Sequence, residues 1–149
     1  MLGIVIVTHG ALSEGLQDAA QVIMGHVENC QAVKLLPGMR IDGLGEEIYK
    51  AIEATDQGDG VVVMVDLFHA SPYNQSVLAV SRLEEARQKK VFLLGGANLP
   101  MLLEAINQQL LEAPIEAVVE AVLQQGRASV ESWSIDQMPQ LGDDEEDDF

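Results

Sequence analysis

Three residues whose types can do chemistry together stand at breaks in the apolar pattern of this chain: His9, Asp66 and Ser71. His9 follows the run Leu2-Gly3-Ile4-Val5-Ile6-Val7, which reads as a fully buried strand, at the point where Thr8-His9-Gly10 gives way to a helical pattern. In open parallel sheets, ligands bind outside the carboxyl ends of the strands, where the strand order reverses. An imidazole placed there, with an ordinary pKa of about 6.5, is available as a nucleophile or base. A histidine that merely fills a turn fits the same position. Asp66 ends Val61-Val62-Val63-Met64-Val65, the strongest strand signal in the chain. If strands one and three are neighbours, both side chains open into one crevice, and the carboxylate would orient the ring and support positive charge on it. Ser71-Pro72 reads as an N-cap followed by a first-turn proline. Helix N-termini hold phosphate-like anions. A nucleophilic imidazole beside such an end points to phosphoryl transfer onto histidine. Asp66 as a plain turn or capping residue and Ser71 as a cap alone are the ordinary readings.

The remaining histidines carry less. His26, near the end of the first helix, suits the helix dipole. His69, between Asp66 and Ser71, reads as a lining or solvated residue. A zinc site from His9, His69 and Asp66 lacks any Cys or His pair at metal-ligand spacing. No phosphate-binding loop with Lys-Ser/Thr and no G-x-G-x-x-G is present.

The elements that must hold these residues alternate between strand and helix, which predicts an α/β fold: a doubly wound, mostly parallel open sheet with helices on both faces. The first helix carries Leu12, Leu16, Ala19, Ala20 and Ile23 and stops at Gly25; strand two spans Ala32–Leu36; a second helix turns Leu44, Ile48, Ala51 and Ile52 inward. The third helix is expected to run from Ser71 past Leu83 to Lys89-Lys90. Strand four is Val91–Leu94. Helices follow over Met101–Leu111 and Ile115–Gln125, with Pro100 and Pro114 in their first turns and Gly126 as the final cap. Ala128–Ile135 alternates loosely and reads as an edge strand. Residues 1–137 form one expected domain, and 138–149 an acidic, disordered tail.

Composition narrows the function classes. The chain has 149 residues, 48% hydrophobic and only 4% aromatic, so its core is aliphatic. Its formal net charge is -16; six of the 24 acidic residues fall within 143–148, which leaves 18 against 8 basic residues elsewhere. That balance argues against nucleic acid and anionic membranes and favours a partner with a basic face, docked on an acidic rim. One cysteine, Cys30, excludes an internal disulfide. Met1 leads into a strand without a basic n-region, and no apolar run approaches the ~20 residues of a membrane span. The expected compartment is the cytoplasm.

Four segments in order carry a family resemblance: Ile4-Val5-Ile6-Val7-Thr8-His9-Gly10; Leu35-Leu36-Pro37-Gly38; Val65-Asp66 with Ser71-Pro72-Tyr73-Asn74; and Gly96-Ala97-Asn98-Leu99-Pro100-Met101-Leu102. They span about the first hundred residues. The chain resembles the IIA component of the mannose family of the bacterial phosphoenolpyruvate-dependent sugar phosphotransferase system (PTS). The resemblance implies that His9 accepts a phosphoryl group from phospho-HPr and passes it to a IIB component, with the membrane IIC and IID components served indirectly. It implies that Asp66 orients His9, that Ser71 hydrogen-bonds the phosphoryl group, and that no metal or organic cofactor takes part. It also implies a homodimer that exchanges its last, antiparallel strand. One departure stands out: His69 and Ala70 replace the two glycines usual before the Ser-Pro, leaving an altered phosphate loop or an added donor from His69 as the consequences. The acidic tail differs from the Ala/Pro-type linker of fused IIA–IIB chains, so a free-standing subunit is expected.

Alternatives from other classes are weaker. Similar domains in sugar-responsive transcriptional activators use the same chemistry as a signal, but no DNA-binding segment accompanies this one. The phosphotransferase subunit serving dihydroxyacetone kinase shares the histidine but is not associated with Asn-Leu-Pro-Met-Leu. A response-regulator receiver needs an acidic pair where Thr8-His9 stands and a lysine where Gly95-Gly96 stands. A flavodoxin-like carrier needs aromatic residues that are scarce here.

Overall fold

The apolar β-branched runs pair into one sheet in a computed structural model that describes residues 1–139. Four strands, β1 (Gly3–His9), β2 (Cys30–Leu35), β3 (Val61–Val65) and β4 (Val91–Leu94), lie in the order β2-β1-β3-β4 and are all parallel. The central pair, β1 and β3, is buried on both faces. Val5, Val7, Val61, Val63 and Val65 point to one core, and Ile4, Ile6, Val62 and Met64 to the other. This period-two division is why the runs read as continuously apolar rather than alternating.

Helices cover both faces. The core under α1 (Leu12–Met24), α5 (Leu99–Leu110) and α6 (Ile115–Ala128) includes Ala20, Leu102, Ile106, Val118 and Val122. The opposite core, under α2 (Ile41–Thr55) and α3 (Ser71–Ser81), includes Leu44, Ile48, Ile52, Ala79 and Leu83. The strand order reverses between β1 and β3, so the switch point lies beyond His9 and Val65.

Several expectations are corrected. The third helix does not run on to Lys89-Lys90. It ends at Ser81, and a short α4 (Glu85–Gln88) follows. Ser81 Oγ donates to Leu78 O, and Leu83 turns inward to 5% exposure. The Gln88 amide then donates to the carbonyls of Ser81 and Leu83 and closes the helix end. Pro114 is the N-cap of α6, not a residue of its first turn. Gly126 is no cap either. It lies inside α6, fully buried, where a Cβ would come within 2.5 Å of Met101 Cγ. Helix α6 reaches Ala128, residues 129–134 form no ladder, and Ile135–Gln137 is a 3-10 turn capped by Ser134; the expected edge strand over Ala128–Ile135 is therefore absent from the single chain. Of the expected acidic tail, Met138 and Pro139 are exposed, and 140–149 lie outside the described residues.

The α5–α6 contact generates a stability prediction. Gly126→Val overpacks the site against Met101 and destabilises the domain by about 1–3 kcal/mol. Gly126→Ala loses less, because alanine regains about 1 kcal/mol of helix propensity. Thermal unfolding followed by circular dichroism should show the valine variant melting several degrees lower and the alanine variant between it and the parent chain.

Candidate functional site

His9 is the last residue of β1, and its side chain follows Val5 and Val7 onto the α2–α3 face of the sheet. The turn that releases it is clipped on both sides. The buried Thr8 hydroxyl accepts from Ser13 N–H at 2.8 Å, and Ser13 Oγ donates to Val33 O at 3.0 Å. Gly10, at φ +56, donates its N–H to Leu35 O at 2.8 Å. Helix α1 has no side-chain cap from its own N-cap residue, Ala11, so Thr8 takes that role from the strand.

Asp66 meets His9 twice. Its Oδ2 accepts the His9 backbone N–H at 3.0 Å and contacts Nδ1 of the ring at 2.9 Å, while Oδ1 accepts Leu67 N–H at 3.0 Å. Partial burial pushes the Asp66 carboxyl up. The hydrogen bonds from the His9 backbone and ring, the charge of His9 and the Leu67 N–H outweigh that and hold it below the usual carboxylate value. A carboxyl lowered in the fold stabilises the folded state above its ordinary pKa of about 3.9 and loses that contribution as pH falls through the lowered value. Asp66 is therefore ionised throughout the neutral range. An ionised carboxylate only accepts hydrogen bonds, so Nδ1 donates to it, and in the neutral ring the lone pair is on Nε2. The Asp66 side chain is 14% exposed and the His9 side chain 47%, so the carboxylate is sheltered and the ring reaches solvent.

Ser71 is placed differently from its expected role. The Asn74 N–H bonds to Ala70 O at 2.9 Å, which makes Ala70 the N-cap of α3; Ser71 is the first helical residue and Pro72 the second. The Ser71 hydroxyl is thus not spent on a cap. Neither His9 nor Asp66 bonds to it. Between them the loop carries Phe68, whose ring lies so close to Gly95 that a Cβ there would come within 2.6 Å of it, and which stacks on Tyr73 at 4.5 Å between centroids. His69 sits at φ +63 with its ring edge-on to Tyr73.

The structure therefore brings His9 and Asp66 together and puts Ser71 five residues on, at the start of α3. His26 lies beyond the end of α1 and contacts Glu28 at 3.0 Å, a local pair rather than a helix-end group. Among the described residues, no three His, Cys, Asp or Glu side chains cluster closely enough to hold a metal. The Thr8–Ser13 clip escaped sequence reasoning because its five-residue spacing matches no capping pattern. Phe68 had a weak signal: one of only three phenylalanines, it falls within five residues of a tyrosine. The rim also differs from the acidic one expected. Leu12, Leu36, Leu67 and Phe68, each just beyond a strand's carboxyl end, are 44–59% exposed. The carboxylates of the first turns nearby are paired, Glu14 with Lys34 and Asp42 with Arg40.

Comparisons with known proteins show the family and the fold. The family model described as "PTS system fructose IIA component" matches residues 3–123. The mannose-specific EIIAB component of the PTS of Escherichia coli K12 is 28% identical over 131 residues, 88% of this chain but 39% of that protein, so the chain spans about two fifths of that relative's length. The sorbose-specific EIIA component of Lacticaseibacillus casei is 30% identical over 105 residues, covering 70% of this chain and 72% of that one. Among solved structures, the mannose/sorbose specific IIA subunit from Enterococcus faecalis superposes with a TM-score of 0.77 over 93% of this chain and 97% of its own, at 18% identity, a likeness of fold. With the family model covering both His9 and Asp66, the chain belongs to the EIIA-man family, the IIA components of mannose- and fructose-type sugar phosphotransferase systems.

Proposed function

We propose that this protein is a phosphoryl carrier in which His9 accepts a phosphoryl group at Nε2 from phospho-HPr and passes it to a IIB component, in the course of sugar uptake and phosphorylation through membrane components. The observation that carries the reading is the 2.9 Å contact of Asp66 Oδ2 with Nδ1 of the half-exposed His9 side chain, which in the neutral ring puts the lone pair on Nε2. In the first step the Nε2 lone pair attacks phosphorus as the bond from phosphorus to the donor's nitrogen breaks, and that electron pair leaves with the donor. The second step repeats this with His9 as the leaving group. Asp66 holds Nδ1–H in both steps and offsets the positive charge that the ring gains on forming the N–P bond. Ser71 contributes a hydroxyl hydrogen bond to the phosphoryl oxygens, together with the open amides at the start of α3. No metal or organic cofactor enters the scheme.

The partners dock on the apolar rim around His9, whose four exposed side chains would be covered in the complex. Residues 1–137 act as the functional unit. The C-terminal segment pairs antiparallel with a second copy. It exposes Val130 at 82%, Trp133 at 66% and Ile135 at 68%, and β4 is an open sheet edge in the single chain. An exchanged strand would cover both. With these phosphoryl partners the protein acts in the cytoplasm; among the described residues no helix is long and apolar enough to cross a membrane.

Three outcomes test the scheme. With phosphoenolpyruvate, enzyme I and HPr, the wild-type chain takes up one acid-labile phosphoryl group, mapped to His9 by mass spectrometry, and His9→Ala takes up none. Label at the wild-type level on that variant would reject the assignment. Asp66→Asn slows transfer by about tenfold to a hundredfold while the fold survives, because a neutral amide supports the charged ring less well; rapid-quench rates unchanged from wild type count against the orienting role. Trp133→Asp or truncation after Ser129 converts a dimer to a monomer in light scattering, and a chain that is monomeric before the change removes the strand-exchange proposal.

A further inference from the structure

His69 is a non-glycine residue held in the left-handed region, φ +63, in the loop between His9's carboxylate partner and α3. Such backbone is uncommon outside glycine and persists where the surroundings enforce it. Here the enforcement is visible. Phe68 on one side is wedged against Gly95, and the His69 ring lies edge-on to Tyr73 at 5.1 Å and to Phe68 at 6.0 Å. Tyr73 packs partly buried on the α2–α3 core, the same face to which β1 delivers the His9 ring. Two imidazoles thus share one face at the carboxyl end of the sheet, and His69 is exposed.

The charge inventory gives that ring a use. A phosphoryl group on His9 is close to a dianion at neutral pH, on a chain of net charge -16. Lys34 is paired with Glu14, Arg40 with Asp42, and Arg82 with Glu46. Tyr73 on α3 is the titratable group against the His69 ring; elsewhere at this end of the sheet stand His9, ending β1, and Asp66 after β3, and α2 carries Asp42 and Glu46, paired with Arg40 and Arg82. Asp66 is turned to His9, and among the described residues His69 forms no ion pair.

We propose that His69 is a second imidazole of the phosphoryl site, donating a hydrogen bond to a phosphoryl oxygen on His9 and, when protonated, supplying a positive charge beside it. The proposal rests on His9 as the phosphorylated residue. His69 takes no phosphorus itself: the N–P bond stays on His9, and only a proton on the His69 ring is shared with oxygen. By linkage, a phosphoryl group there favours protonation of His69, and a protonated His69 favours the phosphorylated chain.

The test uses phosphoramidate, which phosphorylates imidazole without any protein partner. The full-length wild-type, His69→Gln and His69→Arg proteins are loaded, the site is confirmed by mass spectrometry, and the phosphorus NMR resonance is followed from pH 5.5 to 8.5. A cation beside the phosphoryl group draws its second ionisation to lower pH. The expected midpoints run arginine lowest, wild type next, and glutamine highest by about 0.5 pH unit. Superimposable curves for the three proteins overturn the proposal, as does a glutamine midpoint below wild type. Failure of the carrier reading looks different: phosphoramidate labels a residue other than His9, or enzyme I and HPr leave wild-type His9 unlabelled.

Discussion

One carboxylate oxygen organises the site. Asp66 Oδ2 holds both the backbone N–H and the ring Nδ1 of His9, so a single acceptor fixes where the residue sits and how its ring turns. Two strands must end side by side for this to occur. The register makes it possible, since Val7 pairs with Val65, so that His9, two residues past Val7, and Asp66, one residue past Val65, leave the sheet side by side. The paired apolar valines below are therefore as much a part of the site as the two polar groups above them. Any slip of β1 against β3 by one residue would turn His9 to the other face.

The environment of that pair is asymmetric. Asp66 is sheltered and His9 half-exposed, an arrangement that keeps the carboxylate ionised and bound while the ring meets a partner. Around it the protein presents leucines and a phenylalanine rather than free charge, and it neutralises neighbouring carboxylates within its own salt bridges. Surface pairs of that kind add little stability. Their consequence here is that the chain's large negative charge is not concentrated at the site.

The correspondence between sequence and structure was uneven, and the differences have physical causes. The β1 and β3 runs announced themselves because both faces are buried, which leaves no polar alternation to confuse the pattern. The third helix was read too long: Leu83 fits its apolar spacing, yet Leu83 is buried by a turn after Ser81 that Gln88 stabilises from outside the helix. Gly126 looked like a stop signal because glycine usually is one there, whereas here it lets Met101 approach. Ser71 looked like a cap because of its residue type, but the first hydrogen bond of α3 closes on Ala70. Val130, Trp133 and Ile135 suggested a strand, and among the described residues that segment pairs with none.

Residue types and order alone determined the α/β class, the strand-end positions of His9 and Asp66, and the aliphatic core, since each follows from local pattern: burial on two faces, turn chemistry and composition. Only the tertiary structure decided that Asp66 grips His9 through backbone and ring together, that Thr8 closes α1, and that Phe68 against Gly95 holds His69 in a left-handed turn. The Asp66 and Phe68 contacts join residues far apart along the chain, the His69 turn sets a backbone angle against local preference, and the Thr8–Ser13 bond, though local, follows no capping pattern a window of residues would show.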